Sequence, residues 1–434
     1  MSRIRLIDRL SGKRSWPYYR QYVESQWYDR ERLDGFRVTK LRALLTHCER
    51  YVPFYRDMMR QAGMRADDVR GLDALRHLPV TDKAIIKRHY EQFASEPAPG
   101  IGAIHYSQTG GTTGEPLRVP KDVAMRSSAQ AAMFRFHDWM GVRPGDAVLI
   151  LWGRPIVRPT RMKRLRVRVL GAITNSTQID SFGLNPVRVA DLAEQFRRLR
   201  PALLHGYAQS VYELARWFAD SGDRFRLRAV STTVEPLFAE YRPLLRDVFG
   251  CEAFDQYGCG EVEAIAMECD RHEGLHVIEE RAVVELDAEQ NVVVTDLDNL
   301  AFPFIRYRNG DRAAPADHPC SCGRQHQLLS RILGRIGDVI VGPSGNRVHP
   351  EFFTHLLNET GISDRARVRK YQVVQEAPRR LLWKLAADPL MERDREWLVG
   401  EVRRYLGEVE VQVEMVEDIP VGRSGKFQYV VAHP

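Results

Sequence analysis

Two groups of residues in this 434-residue chain have types and spacings suited to chemistry. The first is Tyr106-Ser107-Gln108-Thr109-Gly110-Gly111-Thr112-Thr113-Gly114-Glu115-Pro116. Glycines let backbone N–H groups turn toward an anion, and threonine hydroxyls add donors to phosphate or ligands to Mg2+. The stretch lacks the Gly-Lys-Ser/Thr ending, so it is not a Walker A loop. The second group is Cys269 and His276 with Cys320-Ser321-Cys322-Gly323-Arg324. Thiolates and imidazoles are the ligands of structural Zn2+. Three cysteines and one histidine would close a tetrahedron, with His272 competing for the imidazole position. Cys251 and Cys259 read as small apolar packing residues.

The elements that must position these groups follow from periodicity. Leu41, Leu44, Leu45 and Cys48 trace one apolar helix face, and Pro53 disturbs that pattern. The first 100 residues read as helical, and Pro97-Ala98-Pro99-Gly100 marks a change of element. Residues 147–152 form an apolar run suited to a buried strand. Asn185-Pro186 reads as an N-cap with proline at the first helical position, opening a helix that stops before Pro201. Strand 202–204, helix 211–218 and strand 227–232 follow, which is α/β layering. The stretch 281–316 is mainly β. From about 338 a small α+β unit begins, with strands at 371–375 and 381–386, a helix at 392–406 and an alternating strand at 409–416.

Composition narrows the class. Lys+Arg 64 against Asp+Glu 57 gives a net charge of +7, and 44% of residues are hydrophobic, an ordinary globular balance. No stretch of about 18 apolar residues is present, so no membrane span is expected. The opening residues carry no apolar signal core, and six cysteines are too few for a disulfide scaffold, so a reducing cytoplasm is the expected compartment. Arg154, Arg158, Arg161, Lys163, Arg164, Arg166 and Arg168 form a basic run without an acid. It suits an acidic partner surface or the phosphates of a large cosubstrate, and it lacks the aromatic interleaving of single-strand nucleic-acid binders.

The glycine–threonine stretch resembles the phosphate loop of the acyl-adenylate-forming enzymes, [ST]-[ST]-G-[ST]-T-G-x-P. Further matches fall in the same order: Glu235-Pro236, Tyr257-Gly258-Cys259-Gly260-Glu261, Arg306-Tyr307-Arg308-Asn309-Gly310-Asp311, Gly334-Arg335-Ile336-Gly337-Asp338 and Ser424-Gly425-Lys426. The short N-terminal region and Cys320-Ser321-Cys322-Gly323-Arg324 narrow the resemblance to the phenylacetate–CoA ligase branch.

The resemblance implies a fold, an activity and a set of residues. The fold is α/β. A large N-terminal domain of mixed β-sheets and helices covers 1–336, helical over 1–100, α/β over 101–280 and β-rich with the zinc ligands over 265–330. A small α+β C-terminal lid covers 337–434. The activity is ATP-dependent conversion of a carboxylic acid to acyl-AMP and pyrophosphate, then transfer to the thiol of coenzyme A or a carrier protein. Thr109, Gly110, Gly111, Thr112, Thr113 and Gly114 would hold the phosphates, and Glu261 would hold Mg2+. Tyr257 and Gly258 would lie against adenine beside Glu235 and Pro236. Asp311 would accept from the ribose hydroxyls. Arg335 would sit near ribose and α-phosphate, and Lys426 would bridge carboxylate and phosphate oxygens during adenylation. Trp152, His205, Gly206, Tyr207 and Val234 would line a pocket for an aromatic or apolar acid.

Three positions depart from the pattern. Gly260 replaces a Ser/Thr, Glu115 stands where lysine is usual, and Gly337 replaces a polar hinge residue. Two other readings stand beside the main one: adenylation with transfer to an amine or hydroxyl, and a zinc-stabilised binding protein without catalysis. The oligomeric state, including a homodimer, is left open.

Overall fold

The computed structural model describes residues 2–108, 117–152, 161–181, 186–235, 237–333, 340–348, 352–353, 356–357, 360–368, 370–419 and 430–432. The chain divides into two compact units. One comprises Met1–Thr109, Arg118–Asp146 and Phe254–Gly334; the other comprises Gly110–Leu117, Ala147–Ala253 and Arg335–Pro434. The boundary expected at 336/337 falls in residues 334–339, outside the described residues.

The first unit packs helices against antiparallel strands. The helix predicted around Leu41 runs Arg30–Tyr51 and buries Leu33, Leu41, Leu44, Leu45 and Cys48. Asp29 caps it by accepting from the Arg32 N–H at 2.8 Å. Pro53 disturbs the pattern because it opens a new helix, Pro53–Gln61, from its first position. Asp122 caps Val123–Trp139 in the same way, accepting from the Met125 N–H at 2.8 Å. The strands lie in the order Ala282–Leu286, Asn291–Asp296, Tyr307–Pro315, Leu328–Ile332, Leu275–Val277, Ala266–Glu268 and Ala253–Tyr257. The β content expected over 281–316 is present in the first three. The hairpin His105–Gln108 with Arg118–Lys121 brackets the glycine–threonine stretch.

The second unit holds a parallel sheet in the order Ala229–Thr233, Leu203–Tyr207, Val148–Trp152 and Ser176–Asp180. Helices Arg161–Thr174, Pro186–Leu199 and Ala208–Asp220 connect or follow these strands. The helix predicted from Pro186 is present, while Asn185 lies outside the described residues. Val148–Trp152 buries Leu149 and Leu151 and leaves the alternate residues half-buried. Leu149, Leu151, Leu192, Phe196, Leu214 and Phe218 share one apolar core.

The C-terminal segment has its own four-stranded sheet, ordered Glu410–Met415, Arg380–Ala386, Lys370–Ala377 and Val430–Ala432. Helix Glu392–Leu406 buries Leu398, Val402 and Leu406 in a cluster with Trp383, Leu381 and Phe353. The strands and helix read from sequence here are reproduced within two residues at each end, because alternation and the 3.6 period are both unbroken. No helix among the described residues is long and apolar enough to cross a membrane.

Candidate active site and metal centre

Two segments of the first unit meet where the sequence placed its acidic candidates. Strand Ala253–Tyr257 ends at the buried Tyr257, and the chain turns back at once. The Ile265 N–H donates to the Tyr257 carbonyl at 2.8 Å, and Cys259 N–H to Val262 O at 2.9 Å. A side chain at Gly258 would stand 2.8 Å from the Ala264 nitrogen, so the close approach demands glycine. The fully buried Arg281 holds this turn by donating to the carbonyls of Glu263 and Ala264.

The partner segment is the strand Tyr307–Pro315. Arg308 pairs with Val293 and Arg312 with Asn291, so Asn309, Gly310 and Asp311 face the single residue Val292. The bulge is turned by Gly310 at φ +86° and closed by the Asp311 N–H donating to Asn309 Oδ1 at 3.1 Å. It aims Asp311 at the first segment. The Tyr257 hydroxyl donates to Asp311 Oδ2 at 3.0 Å and accepts from Asn309 Nδ2 at 2.7 Å. The Tyr307 hydroxyl donates to Glu261 Oε1 at 2.9 Å.

The electrostatics keep these tyrosine bonds in one form. Burial, reinforced by the Asp311 charge, holds the Tyr257 phenol well above its ordinary range, so it stays a neutral donor. Burial, with the charges of Glu261 and Asp311, also pushes the Cys259 thiol up, so no thiolate forms there. Burial alone would raise Glu263, but the Lys121 charge and hydrogen bond hold it below the ordinary range. Ser107, on the strand that leads into the glycine–threonine stretch, donates to Gly260 O at 3.5 Å.

Of the residues predicted for nucleotide binding, Tyr257, Gly258, Glu261 and Asp311 therefore come together. Glu235 lies in the other unit, half-buried after Val234, whose φ is +73°. Thr109, Gly110, Gly111, Thr112, Thr113, Gly114, Glu115, Pro236, Arg335, Gly337 and Lys426 lie outside the described residues. So do residues 153–160 of the basic run; its remainder falls on helix Arg161–Thr174. Among the acid-pocket candidates, Trp152 stacks on His205 with centroids 5.7 Å apart and meets the Tyr207 ring at a tilt of 48°, centroids 4.4 Å apart. Tyr207 is buried in the cluster that contains Trp383. Burial pushes His205 down to about 4, so its ring is neutral against Ser231 Oγ at 3.2 Å.

Sequence reading assigned no role to Tyr307, Asn309 or Arg281. A signal for Tyr307 was present: tyrosine precedes an acid by four residues in both motifs, Tyr257/Glu261 and Tyr307/Asp311.

The second site is a ligand cluster in the same unit. One donor atom each from Cys269, His276, Cys320 and Cys322 lie within 4.8 Å of one another. Cys269 Sγ is 3.6 Å from Cys320 Sγ, and Cys322 Sγ is 3.5 Å from His276 Nε2. A tetrahedral Zn2+ with ordinary bond lengths requires S···S of about 3.8 Å and S···N of about 3.6 Å, so the donors fit zinc. The sulfurs are too far apart for a disulfide, and all six cysteines are free. His272 turns away: its φ is +56° and its Nδ1 lies 3.3 Å from Glu268 Oε1.

The surroundings suit metal ligands. The Arg271 N–H donates to Cys269 Sγ at 3.5 Å and the Arg324 N–H to Cys322 Sγ at 3.4 Å. Burial would raise the Cys322 thiol, but the Arg324 N–H leads the contacts that hold it below its ordinary value. Burial pushes Cys269 up to about 11 and His276 down to about 3, the latter with help from His326 and Arg324. A neutral imidazole is the form that binds metal. The Arg324 guanidinium packs between Trp27 and Trp139, 4.7 and 4.6 Å from their rings.

Residues 340–433 match the family model described as the CapK C-terminal domain. The phenylacetate–coenzyme A ligase of Thermus thermophilus is 25% identical over 94% of this chain and 98% of its own length. That of Pseudomonas putida is 24% identical over 87% of this chain and 89% of its own. The crystal structure of 2-hydroxyisobutyryl-CoA ligase with 2-HIB-AMP and CoA is similar in fold, with TM-score 0.60 and 18% identity over 94% of this chain and 91% of that one. The α/β architecture with a separate C-terminal sheet is the one those ligase structures share. Over nearly its whole length the chain is thus similar to phenylacetate–coenzyme A ligases, and it shares the fold of acyl-CoA ligase structures.

Proposed function

We propose that this protein is an AMP-forming acyl-CoA ligase. A carboxylate oxygen attacks the α-phosphorus of ATP, pyrophosphate leaves, and acyl-AMP results. The thiol of coenzyme A then attacks the acyl carbon; AMP leaves and the thiol proton passes to solvent. The observation that carries this reading is the joining of the two acidic motifs, with Glu261 and Asp311 each fixed by a buried tyrosine.

The residue roles follow the chemistry each side chain offers. Asp311 is an acceptor-only carboxylate, the kind of group suited to ribose hydroxyls. Glu261 is a hard oxygen ligand suited to Mg2+, which when bound neutralises phosphate charge. Tyr257 and Gly258 offer a ring and a close backbone to adenine, and the resemblance assigns Glu235 and Pro236 to the same base. Thr109 to Gly114 supply donors for the phosphates, Arg335 charge near the α-phosphate, and Lys426 the ammonium that bridges the reacting oxygens. We assign 337–434 as a lid carrying Lys426, and 1–336 as the domain it closes on.

The acid is aromatic or apolar, which Trp152 and the neutral His205 support. A carrier-protein thiol is the alternative acceptor, a homodimer the assembly to be tested by mass, and the reducing cytoplasm the compartment. Cys269, His276, Cys320 and Cys322 hold a structural zinc, supported by their spacing. The test of the activity is a panel of carboxylic acids read by pyrophosphate release, with and without coenzyme A. An acid that releases pyrophosphate and gives a CoA thioester is the expected result. Failure with every aromatic and aliphatic acid would overturn it.

A further inference from the structure

The tyrosines of the two acidic motifs are exchanged. Tyr257 and Glu261 stand four residues apart on one segment, Tyr307 and Asp311 four apart on the other. Each hydroxyl serves the other segment's carboxylate: Tyr257 donates to Asp311 at 3.0 Å and Tyr307 to Glu261 at 2.9 Å. A hydroxyl has one proton to give. Tyr307 is only 1% exposed, and its hydroxyl donates to Glu261. Glu261 is itself 7% exposed, and among the described residues no cationic side chain is ion-paired with it. A buried carboxylate answered only by a neutral hydroxyl is costly unless a cation completes it.

We propose that Tyr307 is a positioning residue that fixes Glu261 as the ligand of the nucleotide's divalent cation, and that the crossed pairs divide two recognition tasks. Tyr307 with Glu261 sets metal affinity, and Tyr257 with Asp311 sets affinity for the ribose. The proposal rests on the adenylating reading above. Its physical basis is torsional. The hydrogen bond to Oε1 selects one orientation of the carboxylate and leaves Oε2 outside that bond. Removing it frees a long side chain that must be reordered whenever metal binds.

The test is Tyr307→Phe, which removes one oxygen and keeps the ring. Mn2+ binding is read by its EPR signal with α,β-methylene-ATP bound, independently of turnover. The Mn2+ dissociation constant is expected to rise at least fivefold, while metal-free affinity for the analogue changes less than twofold. Tyr257→Phe is expected to do the reverse, weakening the analogue and leaving Mn2+ affinity of the bound complex within twofold. Equal effects of both variants on both ligands, or an unchanged Mn2+ constant in Tyr307→Phe, would overturn the division. Should Tyr307→Phe fold poorly, Glu261→Gln decides, because it keeps an acceptor for Tyr307 yet removes the charge. Unchanged Mn2+ affinity in that variant overturns the proposal. Wild-type protein that binds the Mn2+ complex but releases pyrophosphate from no acid would overturn the activity instead, leaving the binding comparison to judge Tyr307.

Discussion

Stripping the zinc proposed for the Cys269–His276–Cys320–Cys322 cluster should lower the stability of the protein and release its aromatic neighbours. The ligands are buried or nearly so, and two of the six donor–donor distances, at 3.6 and 3.5 Å, are close to those of a tetrahedral ion. With free Zn2+ buffered at a hundred times its dissociation constant, binding to the folded state alone stabilises by about 2.7 kcal/mol. For domains of this size that corresponds to a Tm change of about 5–10 °C. The assay is elemental analysis of protein purified without chelator, followed by thermal unfolding before and after a strong chelator, then zinc readdition. Tryptophan fluorescence gives a local readout, because Arg324, two residues beyond Cys322, packs between Trp27 and Trp139. Loss of metal should loosen that turn and change the emission before the global transition. Less than about half a zinc per chain, or chelation that leaves Tm and fluorescence unmoved, would refute the site. Cys322→Ala should reproduce the chelated state, with the metal no longer restored by readdition.

Three further outcomes are expected. Lys426→Ala should slow acyl-AMP formation on the order of 10²-fold or more and spare transfer from preformed acyl-AMP, measured by single-turnover assays of each step. Gly258→Ala places a methyl 2.8 Å from the Ala264 nitrogen, so the turn carrying Glu261 must open; KM for ATP should rise about tenfold, equivalent to ~1.4 kcal/mol. His205, pushed down to about 4, is neutral when folded, whereas the unfolded chain takes up a proton below about pH 6.5. Stability should therefore fall as pH drops from about 6.5 toward 4, by about 2 kcal/mol at pH 5, and His205→Gln should flatten that slope in urea titrations.

Much of this protein is written locally. The helix and strands between 370 and 416 follow from unbroken periodicity, and the capped helices from Asp29 and Asp122. The residue types of both sites are equally plain, since only certain side chains bind phosphate, magnesium or zinc at such spacing. What the sequence could not settle was which atoms meet. His272 and His276 are equivalent on paper, four residues apart. Strand pairing of His276 with Leu328 brings it beside Cys322, while the left-handed turn at His272 sends its ring to Glu268. Likewise the sequence placed Tyr257 and Asp311 in separate motifs with separate roles, and left Tyr307 without one. Their exchange of hydrogen bonds depends on a bulge at Asn309-Gly310-Asp311 and a turn at Gly258, and on the packing that brings residues 54 and 46 positions apart in the chain together. Chemistry is carried by residue identity, which sequence states outright. Register, bulge and turn are decided by long-range pairing, whose energy no local window contains.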